Sequence, residues 1–172
     1  MQVLLGSHDT KRIQMKFDYN QNRVKLASLF PFVYPGAPCI YYGDEVGLDG
    51  GKDPDCRRAF PWDQDNWNHE LRDWFKKLIQ IRRDRVSLRH GDYHRIAVGE
   101  QGYAFSRTTE EECALVVMNL GEEETHFHFP PDIITMKKIQ KLTDALSDEI
   151  IEVNGTIKLT LAGLSAKILI VE

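Results

Sequence analysis

His8 and Asp9 are the first residues of this sequence whose types and placement suggest chemistry. They follow a short apolar run, Val3–Leu5, and a Gly-Ser pair. Such a run predicts a strand of a parallel sheet. In such sheets the catalytic and binding residues lie just past the carboxyl ends of the strands. A carboxylate accepts hydrogen bonds and an imidazole donates them, so this pair could hold two sugar hydroxyls. The alternative is that Asp9 caps the next helix and His8 has no role.

A second polar pair, Asp53 and Arg57, lies in the long connection between residues 46 and 68. Connections of this length in compact domains are usually functional or disordered. The guanidinium of Arg57 offers donors and the carboxylate of Asp53 offers acceptors to sugar hydroxyls. The same two side chains, four positions apart, could instead form an ion pair that braces the loop.

The same connection carries two tryptophans, Trp62 and Trp67, whose rings could stack on sugars. Because Trp62 stands beside Phe60 and Pro61, we predict that it packs in the core.

For two further groups of ionisable residues the sequence favours a structural role over a catalytic or metal-binding one. Asp44 and Glu45 are adjacent, and consecutive residues of an extended chain point in opposite directions, so both cannot flank one glycosidic bond. We expect a hydrogen-bonded structural role for them. His126 and His128 share one face of a predicted strand, but we find no third ligand, so we expect neither a metal nor another cofactor.

The elements that must position these residues can be read from periodicity. We predict strands at residues 2–5 and 39–42, a loop at 10–20, and a helix from residue 20 or 21 to about residue 32. Residues 69–84 predict the clearest helix, because apolar residues recur with a helical period. Its predicted apolar stripe comprises Leu71, Trp74, Phe75, Leu78, Ile79 and Ile81.

After Gly91 the hydrophobic period changes to that of strands. Asn154-Gly155 is a strong signal for a two-residue hairpin. Short strands separated by polar turns favour an antiparallel sandwich. The predicted strands are 92–98, 102–108, 112–119, 125–129, 139–144, 149–153, 156–161 and 166–171.

Composition restricts the partners and the compartment. With 26 acidic and 22 basic residues the net charge is -4, which argues against nucleic acids and anionic membranes. Three cysteines without metal-type spacing favour reduced thiols and a cytoplasmic setting. The sequence contains neither a signal peptide nor an apolar run of membrane length.

Three stretches together resemble the alpha-amylase family of glycoside hydrolases. Leu4–Thr10 is similar to the fourth sequence motif of that family, and Tyr34–Gly47 is similar to its eighth barrel strand with flanks. Gly50–Arg58, followed by Phe60–Trp62, resembles the branch of neopullulanases, cyclomaltodextrinases and maltogenic amylases. The chain departs from that branch at Lys11, where proline is usual. The three matches keep the order and spacing of the family.

The resemblance implies an α/β plus all-β fold: a partial (β/α)8 TIM-barrel segment followed by an antiparallel β-sandwich. Residues 1–85 would form the seventh and eighth barrel units and residues 86–172 the C-terminal β domain. A complete barrel needs about 250 residues, so we expect a C-terminal piece of a longer protein, for which an upstream signal peptide stays open. With six of eight barrel strands absent, strands 2–5 and 39–42 would be exposed, and homo-oligomers could form through them.

The implied activity is the retaining cleavage of α-1,4 glucosidic bonds, with α-1,6 bonds left open, in starch-derived oligosaccharides or cyclodextrins. Asp9 would be the third essential carboxylate, which stabilises the transition state, and His8, Asp53 and Arg57 would bind the α-glucan substrate. The motifs of the nucleophile and of the acid/base have no match here, so we expect this chain alone to be inactive.

Two other classes of function remain open, a non-catalytic carbohydrate-binding module and a purely structural β domain. Exposed paired aromatics would favour the first class. The aromatic residues that could form such pairs are Tyr93, Tyr103, Phe105, Phe127 and Phe129, and their alternation along strands favours a core.

Overall fold

The computed structural model describes residues 1–130 and 139–171, which fall into two compact units, Met1–Gln80 and Ile81–Glu172. The boundary falls within the longest helix. Within the described ranges, no helix combines the length and the apolar character that crossing a membrane requires.

The first unit is a two-stranded parallel sheet with a helical crossover. Val3 of the first strand pairs with Pro38 of the second. Parallel strands need such a long connection, which two helices supply here. In chain order the elements are β1 (Gln2–Leu4), α1 (Ile13–Lys16), α2 (Gln21–Val33), β2 (Ala37–Cys39) and α3 (His69–Asp84), whose last residues enter the second unit.

The second predicted strand is misplaced, because residues 40–42 lie outside β2. The backbone carbonyl of Tyr42 accepts a hydrogen bond from the guanidinium of Arg12 instead of joining a ladder. The predicted loop at 10–20 also contains the four-residue helix α1. Both strands are partly exposed: Leu4 of β1 is 44% exposed, and Ala37 and Cys39 of β2 are exposed as well.

The helices α2 and α3 form where they were predicted, and they pack against each other. Asn20 caps α2 by accepting a hydrogen bond from the backbone N–H of Arg23. The indole of Trp74 on α3 donates to the carbonyl of Lys25 on α2 at 3.1 Å. One residue of the predicted apolar stripe, Ile79, is 47% exposed, so the buried face of α3 is narrower than its period suggests.

The second unit begins with the end of α3 and a short helix, and the rest of its described elements are strands. The elements are α4 (Val86–His90), β3 (Asp92–Val98), β4 (Gly102–Thr108), β5 (Cys113–Asn119), β6 (Thr125–Phe129), β7 (Lys141–Asp144), β8 (Ile150–Glu152), β9 (Ile157–Leu161) and β10 (Ser165–Val171). A six-stranded sheet has the order β3-β4-β5-β10-β7-β8, and a two-stranded sheet pairs β6 with β9. Every pairing is antiparallel.

Side chains from both sheets share one apolar core. Leu115 and Leu169 of the larger sheet and Phe127 and Leu159 of the smaller sheet belong to it. The hairpin predicted at Asn154-Gly155 is wrong, because β8 pairs with β7 and β9 pairs with β6. Gly155 does adopt a left-handed conformation with φ +83. A turn residue therefore sets the local backbone, but the apolar faces decide which strands pair.

The connection after β2 is anchored to the start of the unit by a buried ion pair. The Arg12 side chain is 1% exposed and its Nη1 lies 3.3 Å from Oδ1 of Asp44, whose side chain is 4% exposed. The guanidinium also lies over the rings of Tyr41 and Tyr42, at 4.1 and 4.5 Å from their centroids. Asp44 therefore has the structural role expected from the sequence.

Burial raises the pKa of Asp44 from its ordinary 3.8 to about 6, against the opposing influence of Arg12, with Glu45 raising it and Lys16 lowering it to smaller extents. A carboxyl whose pKa is higher in the folded state binds its proton more tightly there. Its contribution to stability is therefore complete below the unfolded pKa and is lost as the pH rises through the folded pKa.

We predict that the free energy of unfolding of the wild type falls, relative to that of Asp44→Asn, between pH 3.8 and about 6. The slope should not exceed about 1.4 kcal/mol per pH unit, the limit for one proton. Urea unfolding at a series of pH values measures both curves. Asp55→Asn is the control, because a hydrogen bond from Arg58 lowers the pKa of exposed Asp55 and gives the opposite sign. Parallel curves for the wild type and Asp44→Asn would contradict the prediction.

Candidate functional site

His8 and Asp9 lie on a tight turn just past the carboxyl end of β1. The hydroxyl of Thr10 accepts a hydrogen bond from the Ser7 N–H, and the hydroxyl of Ser7 accepts one from the Asp9 N–H. Nε2 of His8 is 3.2 Å from Oδ2 of Asp9, and the two side chains are 62% and 68% exposed. No side chain caps α1, so the alternative in which Asp9 serves as a helix cap is wrong. The turn instead presents an imidazole and a carboxylate side by side to solvent.

Arg57 brings the second predicted pair to the first. Its Nε lies 2.7 Å from Oδ1 of Asp53, and its Nη2 lies 3.7 Å from Oδ1 of Asp9. Its Nε also donates to the backbone carbonyl of His8 at 3.2 Å. All four predicted site residues therefore form one exposed cluster, His8, Asp9, Asp53 and Arg57, which we call the His-Asp-Arg cluster.

Both readings of the Asp53–Arg57 pair describe part of this geometry. The i,i+4 ion pair braces the loop, as the second reading expects. The side chains are also about half exposed, so their remaining polar atoms can reach a ligand. Asp53 is the main cause that raises the pKa of the Arg57 guanidinium, so the guanidinium stays charged. The cluster can thus offer carboxylate acceptors together with imidazole and guanidinium donors to neighbouring hydroxyls.

Two buried side chains beneath the cluster were not found from the sequence. The thiol of Cys56, which is fully buried, donates to the backbone carbonyl of His8 at 2.9 Å. Nε of Arg12 donates to the carbonyl of Cys56 at 2.8 Å. These contacts join the turn of His8 and Asp9 to the 3-10 turn Asp55–Arg57. The local sequence does not predict these contacts, because an arginine such as Arg12, three residues after Asp9, is usually a surface residue.

The neighbouring arginine, Arg58, has a different set of partners. Its Nε and Nη2 donate to the two oxygens of Asp55 at 2.7 and 2.9 Å. Its Nη1 lies 3.5 Å from Asp49, and its backbone carbonyl accepts a hydrogen bond from the Tyr42 hydroxyl at 2.9 Å. Arg58 thus braces the base of the loop, while Arg57 faces the His-Asp-Arg cluster.

The prediction that Trp62 packs in the core is wrong, because this residue is 83% exposed. Its ring contacts Phe60 edge-on at a centroid distance of 4.9 Å. Trp67 is the tryptophan of this connection that is half buried, and its indole donates to the carbonyl of Pro61. Phe60 and Pro61, its apolar neighbours in the sequence, are half buried, whereas Trp62 extends into solvent.

The two histidines of β6 are exposed, and one of them contacts a hydroxyl of β9. Nδ1 of His126 lies 2.9 Å from the hydroxyl of Thr160, and both His126 and His128 are exposed. Among residues 1–130 and 139–171, no three His, Cys, Asp or Glu side chains are grouped closely enough to hold a metal ion.

The aromatic residues of the second unit are mainly internal. Phe105 is fully buried, and Phe127 and Phe129 are 8% and 5% exposed. The hydroxyls of Tyr93 and Tyr103, which are half buried, are in contact with each other. These residues do not form the exposed pairs that would indicate a carbohydrate-binding module.

Comparison with known proteins agrees with the family resemblance of the sequence motifs. Residues 1–90 match the family model described as the alpha amylase catalytic domain. A cyclomaltodextrinase from a Bacillus species is 42% identical over 118 residues, which are 67% of this chain and 21% of that protein. Neopullulanase 2 from Thermoactinomyces vulgaris is 37% identical over 169 residues, which are 96% of this chain and 28% of that protein.

A solved structure shows the same likeness in three dimensions. The alpha-amylase from Geobacillus thermoleovorans, complexed with acarbose, matches with a TM-score of 0.88 at 28% identity. The match covers 100% of this chain and 39% of that protein. This chain spans between 21% and 25% of the length of three curated cyclomaltodextrinases that it matches. Since the family model covers more than half of its residues, the chain belongs to the alpha-amylase family.

Proposed function

We propose that this chain forms the C-terminal part of a glycoside hydrolase that cleaves α-glucosidic bonds in starch-derived oligosaccharides or cyclodextrins with retention of configuration. Residues 1–85 correspond to the seventh and eighth units of a (β/α)8 barrel, and residues 86–172 form its C-terminal β-sandwich. The observation that carries the proposal is the His-Asp-Arg cluster at the carboxyl end of β1, since active sites of such barrels lie at that end of their strands. The names of the curated relatives support the substrate class.

Asp9 has the properties of a transition-state stabiliser. Its side chain is open to solvent, with one oxygen beside the His8 imidazole and the other beside Arg57. A carboxylate held in this way can accept hydrogen bonds from two hydroxyls of one glucose ring. The negative charge is most valuable when the sugar becomes oxocarbenium-like, so its effect falls mainly on the transition state.

His8, Arg57 and Asp53 surround this carboxylate as substrate-binding residues. The His8 imidazole can donate to the same sugar as Asp9. Arg57 keeps the turn and the loop together through the His8 carbonyl and Asp53. Asp53 and Arg57 would then shape a neighbouring subsite and affect which oligosaccharide fits.

The cluster does not contain the groups that break the bond. A retaining glycosidase needs a nucleophilic carboxylate and a carboxylic acid about 5 Å apart across the scissile bond. The two carboxylates of the cluster, Asp9 and Asp53, both face the same guanidinium, an arrangement that suits binding. We therefore propose that the nucleophile and the acid/base belong to other barrel strands and that this chain alone does not hydrolyse glucans.

The second unit is best explained as a structural domain. Its candidate sugar-binding aromatics are buried or paired with each other, and the central strand β5 is buried along its whole length. Within this proposal the substrate partner is an α-glucan, and no nucleic acid, membrane or cofactor takes part. Self-association through β1 and β2 stays a prediction.

We predict that grafting restores activity and that Asp9 is essential to it. The chimera replaces the matching 28% of Thermoactinomyces vulgaris neopullulanase 2 with this chain. Release of reducing ends from pullulan and cyclodextrin measures turnover. Asp9→Asn should lower kcat at least about a hundredfold, because it removes charge where the transition state needs it.

Asp18→Asn is the matched control, since Asp18 is an exposed acid outside the cluster and should leave kcat unchanged. The 172-residue chain without the graft should release no reducing ends. Wild-type kcat in the Asp9→Asn chimera, or hydrolysis by the purified chain, would overturn the proposal.

We also predict that Arg57→Lys in the chimera raises KM about threefold to tenfold and changes the ranking of substrates. Lysine keeps the charge but lacks the planar fork that reaches Asp53, Asp9 and the His8 carbonyl together. Arg58→Lys is the control, because Arg58 braces Asp55 and Asp49 and has no bond to the cluster. If Arg57→Lys lowers the Tm and leaves the substrate ranking unchanged, the pair is a brace alone.

A further inference from the structure

We infer that Trp62 is a stacking platform for a glucose ring of a bound α-glucan, at a subsite separate from the His-Asp-Arg cluster. This inference rests on the proposed function for the identity of the ligand. Trp62 is not part of the His-Asp-Arg cluster.

Trp62 is exposed to an extent that is unusual for a large aromatic residue. It is 83% exposed, the same value as the terminal Met1, whereas the other two tryptophans are half buried. Tryptophan carries a large apolar surface, and leaving it in water forgoes the stabilisation that burial would give. An exposed tryptophan therefore invites an explanation in terms of a ligand.

The ring stands on a fixed support. The Phe60 ring contacts Trp62 at a centroid distance of 4.9 Å with an interplanar angle of 60°, and it also contacts Trp67 at 5.8 Å and 71°. Trp67 is itself held, because its indole donates to the Pro61 carbonyl and the Arg72 guanidinium lies 5.1 Å from its ring centroid. A supported ring loses little conformational freedom when a flat ligand stacks on it.

The surroundings of Trp62 suit a sugar better than a protein partner. The exposed residues that follow it are polar without exception: Asp63, Gln64, Asp65 and Asn66. The buried centre of a protein–protein interface is depleted in charged residues, so a lone exposed ring that is followed in the chain by charged and amide side chains fits it poorly. A glucose ring presents apolar C–H groups to an aromatic face and hydroxyls around its edge, where carboxylates and amides can bind them.

The position along the loop places the ring within reach of the same ligand. Trp62 follows Arg57 by five residues, which can span at most about 18 Å. The intervening chain is tied down where the Tyr42 hydroxyl donates to the Arg58 carbonyl. An oligosaccharide of several glucose units that contacts Arg57 can therefore extend to Trp62.

Nuclear magnetic resonance of the indole N–H groups in the 172-residue chain tests the inference. The chain has three tryptophans, so three signals are expected, and Trp62→Phe assigns the one that matters. Titration with maltoheptaose should shift the Trp62 signal. It should leave the Trp74 signal unchanged, because the Trp74 indole N–H donates a hydrogen bond to the backbone carbonyl of Lys25. No shift of the Trp62 signal up to tens of millimolar maltoheptaose would overturn the inference.

Calorimetry with maltoheptaose then measures what the ring contributes. Trp62→Ala should weaken binding at least about fivefold, and Trp62→Phe should weaken it less. Leu120→Ala is the control, since Leu120 is an exposed apolar residue of the other unit and should leave the affinity unchanged. Equal affinities for Trp62→Ala and the wild type would overturn the inference. It would also fail if the Trp62 signal moved with protein concentration alone, because a second copy would then be the occupant.

The chimera separates the failure of this inference from the failure of the proposed function. If Trp62→Ala leaves KM unchanged while Asp9→Asn abolishes turnover, only the Trp62 subsite is wrong. If maltoheptaose shifts the Trp62 signal while Asp9→Asn keeps the wild-type rate, only the assignment of Asp9 is wrong.

Discussion

The first unit depends on one buried cation. The guanidinium of Arg12 donates to the carbonyls of Cys56 and Tyr42 and lies 3.3 Å from Asp44. A charge inside a protein is costly unless partners surround it, so removing such a cation from this site would leave a carboxylate and two carbonyls unpaired together. Its partners come from segments 30 to 44 residues away. Arg12 therefore fixes the position of the long, glycine-rich connection that follows β2.

Arg12 supports both parts of the candidate site, the turn of His8 and Asp9 and the loop of Asp53 and Arg57. Arg12 stands three residues after Asp9, and its partner Cys56 stands beside Arg57. The Cys56 thiol and the Arg57 guanidinium both donate to the carbonyl of His8, so the turn and the loop meet at one backbone oxygen. The polar groups that face solvent are thus held by buried contacts, which is how a binding site retains its geometry before a ligand arrives.

Local sequence patterns predicted most of the helices and strands. Burial and strand pairing depend on long-range contacts, which local patterns do not contain. The helix at residues 69–84 was predicted because its apolar period is strong, and His8 and Asp9 were singled out because they follow an apolar strand. Asp53 and Arg57 were singled out by their chemistry in a long connection and by the family resemblance. The burial of Arg12 and the exposure of Trp62 were not foreseeable, since each depends on residues distant in the chain or on which neighbour turns inward. The same holds at Asn154-Gly155, where Gly155 adopts a left-handed conformation but the two flanking strands do not pair with each other.

The most direct test of the central role of Arg12 is amide hydrogen exchange in Arg12→Lys. Lysine keeps a positive charge near Asp44 but cannot donate to Cys56 and Tyr42 in the same planar geometry. We predict faster exchange at the amides of Asp55 and Arg57, which hydrogen-bond within the loop, and unchanged exchange at the amide of Val24 in α2. Unchanged exchange at Asp55 and Arg57 in a folded Arg12→Lys chain would contradict it.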